Sequence, residues 1–236
     1  MKNITPRLFF SILYPSLFVG VLWCVRVYEN TTQVELGYYG LYPRTLHGLL
    51  GILTTPLLHA DNNHLWSNTL PLLILGSVMF YFYRAIAFQV FGWVYIMTGI
   101  WVWVMAQPAY HIGASGLVYG FVTFLFFSGV FRKDTRLLAI SMFVAFLYGS
   151  ILYGIFPLVK GMSWESHLMG ALAGIITAYH FRNEGPPPRH YDLGDDDENE
   201  TIDVTDDEHT EITEVPEPPT TNVIVHYTII PKEKEN

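Results

Sequence analysis

A serine, two histidines and an asparagine in this sequence stand at spacings that can assemble acyl-transfer chemistry. Ser115 lies within Gly113-Ala114-Ser115-Gly116, at the mouth of an apolar run. A serine hydroxyl is a weak nucleophile until a base takes its proton. At a helix start it also sits beside unpaired backbone N–H groups and the positive end of the helix dipole, where an oxyanion is stabilised. Gly113 and Gly116 permit close approach of backbone and substrate. A helix-capping serine would have the same neighbours, so this stretch alone decides nothing. His167 changes the balance, because ionisable side chains inside apolar segments are costly and usually functional. It is followed by Gly170, Ala171, Ala173 and Gly174, while Ser115 is followed by Gly116 and Gly120. Small residues four apart let membrane helices approach closely. Such an approach is what a serine and a histidine on two helices need to share a hydrogen bond.

Other polar residues flank this pair. His64 and Asn68 are four apart and share one helix face. Both can donate hydrogen bonds, either to an oxyanion near Ser115 or as polar glue between helices. Tyr119 follows Ser115 by four and can wall the site and stack on His167, or simply pack. His59 is read as a structural support for His64 or its loop. His111 is assigned a surface-loop position without a role. Asp61 and Glu165 are the only carboxylates near the outer ends of their helices, and each is read as a solvated loop charge rather than a third catalytic member. A zinc protease is disfavoured: His59 and His64 are five apart, and no glutamate stands between them.

These residues need long apolar helices to hold them. Of 236 residues, 51% are hydrophobic, and the mean hydropathy is +0.29. The chain carries about six apolar runs, each near the ~20 residues that cross a bilayer. Helices are predicted over about 7–27, 64–83, 85–106, 115–131, 137–157 and 166–182. The apolar stretch from Leu46 to Leu58, inside a long first loop, reads as a segment in the membrane interface. Lys2 and Arg7 precede the first run as in a signal peptide, but no small-x-small cleavage site follows, so a retained first helix is expected.

Charge is segregated. Residues 1–182 hold 10 Lys and Arg against 5 Asp and Glu, whereas residues 183–236 hold 3 against 16. No basic patch with interleaved aromatics suggests nucleic-acid binding. Lys2, Arg7, Arg84, Arg132, Lys133, Arg136, Arg182 and Arg189 fall on one side of the predicted helices; Arg26, Arg44 and Lys160 fall on the other. The positive-inside rule then puts both termini in the cytoplasm and the polar helix ends outside, as expected for a multi-pass protein of a cell (plasma or inner) membrane. Two domains follow: a membrane domain over 1–183 and an acidic tail over 184–236, read as disordered from its composition and its Pro186-Pro187-Pro188 start. Asn222 to Ile230 alternates enough for one strand that could dock on a partner by strand addition, but an unstructured end is the favoured reading. Cys24 is the only cysteine, which excludes an internal disulfide; a packed thiol is expected.

The combined pattern resembles the rhomboid family of intramembrane serine proteases over roughly residues 8–182. The matching motifs are His59-x4-His64-x3-Asn68, Gly113-Ala114-Ser115-Gly116 with Tyr119, and His167-x2-Gly170-x3-Gly174. The resemblance implies an all-α polytopic membrane fold of about six transmembrane helices. It implies a Ser115–His167 dyad without an acidic third member and an oxyanion hole from His64, Asn68 and the Ser115 backbone. It also implies a supporting Tyr119, and no metal or organic cofactor. The implied partners are the lipid bilayer and single-pass membrane proteins, cut in or near a transmembrane segment. Two features depart from the family: Tyr42-Pro43-Arg44 replaces a frequent Trp-Arg pair in the first loop, and the acidic tail lies outside the common core. A catalytically inactive relative that binds membrane clients is the alternative. A transporter is disfavoured because the third and fifth predicted helices are apolar through their middles.

Overall fold

A computed structural model of the chain describes residues 4–147, 154–158, 161 and 163–184. The acidic tail and its candidate strand lie outside the described residues. Within them the fold is all-α, with seven helices. These are α1 (Ile4–Thr32), α2 (Leu46–Thr54), α3 (Asn62–Phe82), α4 (Ala87–Met105), α5 (Ser115–Arg132), α6 (Thr135–Leu147) and α7 (Trp164–His180). Short 3₁₀ turns cover Leu36–Tyr39 and Thr55–Leu57. Four helices, α1, α3, α4 and α5, are long and apolar enough to cross a membrane. The described parts of α6 and α7 are shorter, 13 and 17 residues. The predicted fifth helix continues into residues 148–153, outside the described set.

The first helix outruns its predicted end. It continues to Thr32 because Thr31 and Thr32 donate their hydroxyls back to the carbonyls of Val27 and Tyr28, and it stops where Gln33 turns left-handed at φ 57°. The Leu46–Leu58 segment forms a short helix and turn. Thr45 caps α2, accepting from the Gly48 amide at 3.1 Å. Gly48 and Gly51 face the preceding chain so closely that a Cβ would stand 1.8 Å from the Tyr42 carbonyl oxygen and 2.1 Å from Leu41 Cα. The opposite face exposes Leu46, Leu49, Leu50 and Leu53, the surface that a segment in the interface plane presents. Arg44 anchors this loop in place of the absent Trp-Arg pair: its guanidinium donates to the Ala106 carbonyl at 2.7 Å. Trp103 returns a hydrogen bond from Nε1 to the Thr45 carbonyl at 2.9 Å.

Cys24 departs from expectation. It is exposed on the outer side of α1, since α1 buries only a narrow stripe, including Val19 and Leu22, against its neighbours.

The centre is α5: 61% of the residues in its apolar 18-residue stretch are buried, against 50% for that of α3 and 22% for those of α1 and α4. Its partner α7 lies in backbone contact with it. A Cβ at Gly170 would be 2.1 Å from the Gly116 carbonyl oxygen, and one at Gly174 would be 2.1 Å from that of Gly120. The Thr123 hydroxyl crosses the seam to the Ala171 carbonyl at 2.8 Å. Gly170→Val should therefore destabilise the protein by about 1–3 kcal/mol, the usual cost of overpacking. Thermal unfolding in detergent will read this. Gly92→Ala, with open space around the new methyl group, should leave the midpoint unchanged or raised.

Candidate active site

The segment before α5 is built to present Ser115. Gly113 takes φ +115°, a left-handed conformation in which a Cβ would also stand 2.7 Å from Cε1 and Nε2 of His64. Only glycine meets both demands without strain. The Gly113 amide donates to the Thr55 carbonyl at 3.0 Å, and the Ala114 amide donates to His59 Nε2 at 3.4 Å. Ser115 is then the first residue of α5, half-buried, with no capping bond from the preceding Ala114 side chain. Its own hydroxyl is used elsewhere.

That hydroxyl faces His167. Ser115 Oγ lies 2.7 Å from His167 Nε2, and His167 Nδ1 lies 2.8 Å from the Gly154 carbonyl oxygen. A carbonyl can only accept, so Nδ1 carries the proton and Nε2 is the free base facing the serine. The imidazole stacks on Tyr119, ring centroids 4.3 Å apart and planes 9° apart. The helix contact described above sets this geometry. Sequence reasoning missed Gly154. Its carbonyl orients the base, and a Cβ there would fall 1.9 Å from the Tyr119 hydroxyl and 3.0 Å from His167 Nδ1. No motif flags it, because a backbone carbonyl has no residue-type signature.

The remaining expected residues are placed as follows. His64 stands beside Gly113, half-buried, with its helix capped by Asp61, which accepts from the His64 amide at 2.8 Å. Asn68 is buried, and its Nδ2 donates to the His64 carbonyl at 3.1 Å. His59 fills the structural role expected of it, with its ring edge-on to His64 at 5.1 Å and its Nε2 on the Ala114 amide. Gly116 lies on the α5–α7 seam, where a Cβ would be 3.2 Å from the Ser166 carbonyl oxygen. A small cavity of about 20 Å³ opens beside Gly113 and Gly116, walled by Leu41, Ile52, Thr98 and Val102.

Two side chains read as solvated are buried. His111 is 3% exposed; its Nδ1 lies 2.5 Å from the Ser163 hydroxyl and its Nε2 3.2 Å from the Gln107 carbonyl oxygen. Its backbone pairs with Leu41 in both directions, at 2.8 and 3.1 Å, which pulls the 107–113 segment inward. Ser163 caps α7, so His111 ties the serine-bearing segment to the start of the histidine-bearing helix. Glu165 is 7% exposed and accepts from the Gln107 amide at 3.4 Å. Neither Asp61 nor Glu165 contacts His167, whose Nδ1 is taken by Gly154. Among the described residues no three of His, Cys, Asp or Glu converge as metal ligands.

Burial holds the His59 imidazole down to about 4, and the neighbouring His64 pushes the same way. A histidine kept neutral when folded adds stability above its unfolded value of 6.5. That contribution is lost as pH falls from 6.5 towards 4, because only the unfolded chain takes the proton. The unfolding midpoint should drop over this window, and His59→Gln, which keeps an acceptor for Ala114, should flatten the drop.

The sequence was also compared with known proteins. The family model described as "Rhomboid domain" matches residues 47–184. An uncharacterized protein of Mycobacterium tuberculosis is 36% identical over 175 residues, covering 69% of this chain and 71% of its own. A second, from Mycobacterium leprae, is 34% identical over 172 residues, covering 69% and 68%. The matched region spans more than half of the chain and contains the serine, the histidine and helices α3 to α7: the chain belongs to the rhomboid family.

Proposed function

We propose that this chain is an intramembrane serine endopeptidase that cleaves single-pass transmembrane proteins in or near their membrane segment. The observation that carries the reading is the 2.7 Å contact between Ser115 Oγ and a His167 Nε2 left as the free base. Family membership adds to it.

In this reading Ser115 Oγ attacks the scissile carbonyl carbon while its proton passes to His167 Nε2. The imidazolium that forms is stabilised by the Gly154 carbonyl and by the face of Tyr119. The carbonyl oxygen becomes an oxyanion held by the Ser115 amide at the start of α5, by His64, and by the second amide hydrogen of Asn68. Collapse breaks the C–N bond, and His167 returns its proton to the leaving amine. Water then attacks the acyl-serine, giving up a proton to His167, and the product carboxylate leaves as Ser115 is reprotonated. The small apolar cavity beside Gly113 suits a small side chain next to the scissile bond. The charge distribution supports both termini in the cytoplasm of a cell membrane, with the dyad near the outer ends of α5 and α7.

The test is cleavage of a model single-pass substrate by the purified full chain in liposomes. Ser115→Ala and His167→Ala should each lower turnover by about a thousandfold or more. A folded wild type that binds a substrate panel without cutting any member would favour the client-binding alternative. Tyr119→Ala, which frees the imidazole to tilt, should lower kcat by roughly a hundredfold with little change in KM. Tyr119→Phe, which keeps the stacked ring, should restore most of that loss; equal damage from both variants would sink the stacking role.

A further inference from the structure

On the side of the bundle away from the dyad, two cavities run together. The larger, about 210 Å³, is walled by Pro15, Phe18, Leu72, Phe88, Phe91 and Phe121, among other apolar residues of α1, α3, α4 and α5. The smaller, about 80 Å³, lies towards the start of α1 and the turn between α3 and α4, and is lined by Arg7, Ser11 and Arg84. Tyr14, Phe80 and Phe88 line both. The result is one groove with an aromatic body and a doubly cationic mouth.

We propose that this groove binds an anionic phospholipid of the surrounding bilayer, with an acyl chain along the aromatic body and the phosphate at Arg7 and Arg84. The charge at the mouth selects the occupant. No carboxylate lines either part of the groove. Arg84 is exposed and has no hydrogen-bond or ion-pair partner among the described residues. Arg7 is held in place by its Nε and Nη2, which donate to the Tyr81 carbonyl at 3.0 and 2.6 Å, and by stacking over the Tyr81 ring. This leaves the other guanidinium edge for a ligand. Ser11, one turn before Pro15, adds a polar residue to the lining of the smaller cavity. Both arginines belong to the side of the chain that the charge pattern assigns to the cytoplasm, where basic pockets between helices meet anionic headgroups. A zwitterionic lipid would fill the aromatic body equally well, but its headgroup would set a further cation beside the two arginines. The site is independent of the proposed protease chemistry.

Native mass spectrometry of the full chain can test this, with phosphatidylglycerol and phosphatidylcholine of identical acyl chains added to the detergent-solubilised protein. Phosphatidylglycerol should bind more tightly, by about fivefold for each arginine engaged. Arg84→Gln, which breaks no hydrogen bond, should lose about fivefold of that preference. The Arg7→Gln and Arg84→Gln pair should bring the two lipids level while phosphatidylcholine binding stays as in the wild type, which also reports an intact groove. Free glycerol 3-phosphate should not compete, because it lacks the acyl chain. Equal binding of the two lipids by the wild type, an undiminished preference in either variant, or full competition by glycerol 3-phosphate would each overturn the proposal.

Discussion

The contact on which the rest of this structure depends is the backbone-to-backbone approach of α5 and α7. Four glycines make it possible, because a single methyl group at Gly170 or Gly174 would sit inside van der Waals contact with a carbonyl of the facing helix. In a bilayer there is little hydrophobic force to press helices together, so close packing and cross-helix hydrogen bonds must do it. The Thr123-to-Ala171 bond is one of these, and the Ser115-to-His167 bond is another at the far end of the same seam. A hydroxyl and an imidazole are short levers. They reach each other only if their helix axes are already close.

No carboxylate is hydrogen-bonded to His167: Glu165, buried two residues before it, accepts from the Gln107 amide. The Gly154 carbonyl orients His167 instead, at the cost of no charge, and the tautomer follows from its being an acceptor. A Cβ at Gly154 would crowd the Tyr119 hydroxyl and the imidazole, at 1.9 and 3.0 Å. A ring stacked on one side and a carbonyl on its edge hold the base with one nitrogen on the serine.

Outside the seam, the first loop and the 107–113 segment brace the serine from the other side. Thr55 is the hinge of this arrangement. Its hydroxyl accepts from the Leu41 amide and donates to the His111 carbonyl, while its own carbonyl takes the Gly113 amide. Arg44 ties the loop to the end of α4. The chain thereby holds Ser115 from behind, through Thr55 and His59, while α7 holds its hydroxyl from the front.

Much of this was legible in the sequence, and the reason is periodicity. Residues on one helix face repeat every three or four positions, so Ser115 with Tyr119, His64 with Asn68, and the glycines of both seam helices declared their shared faces. The apolar runs declared the helices, and the resemblance to a family placed them in order. What only the tertiary structure decided has no period. Gly154 acts through a carbonyl that every residue possesses, so its type gave no signal. His111 stands in a loop and Glu165 in the first turn of α7, positions that read as solvated, yet both are buried, and each is paired with a residue more than fifty positions away, Ser163 and Gln107 respectively. Cys24 lies in an apolar run but on the outward side of α1, because which stripe of a membrane helix faces protein depends on its neighbours and not on its own hydrophobicity. Side-chain type and spacing determined which residues share a helix face; the close crossing of two helices determined which of them meet.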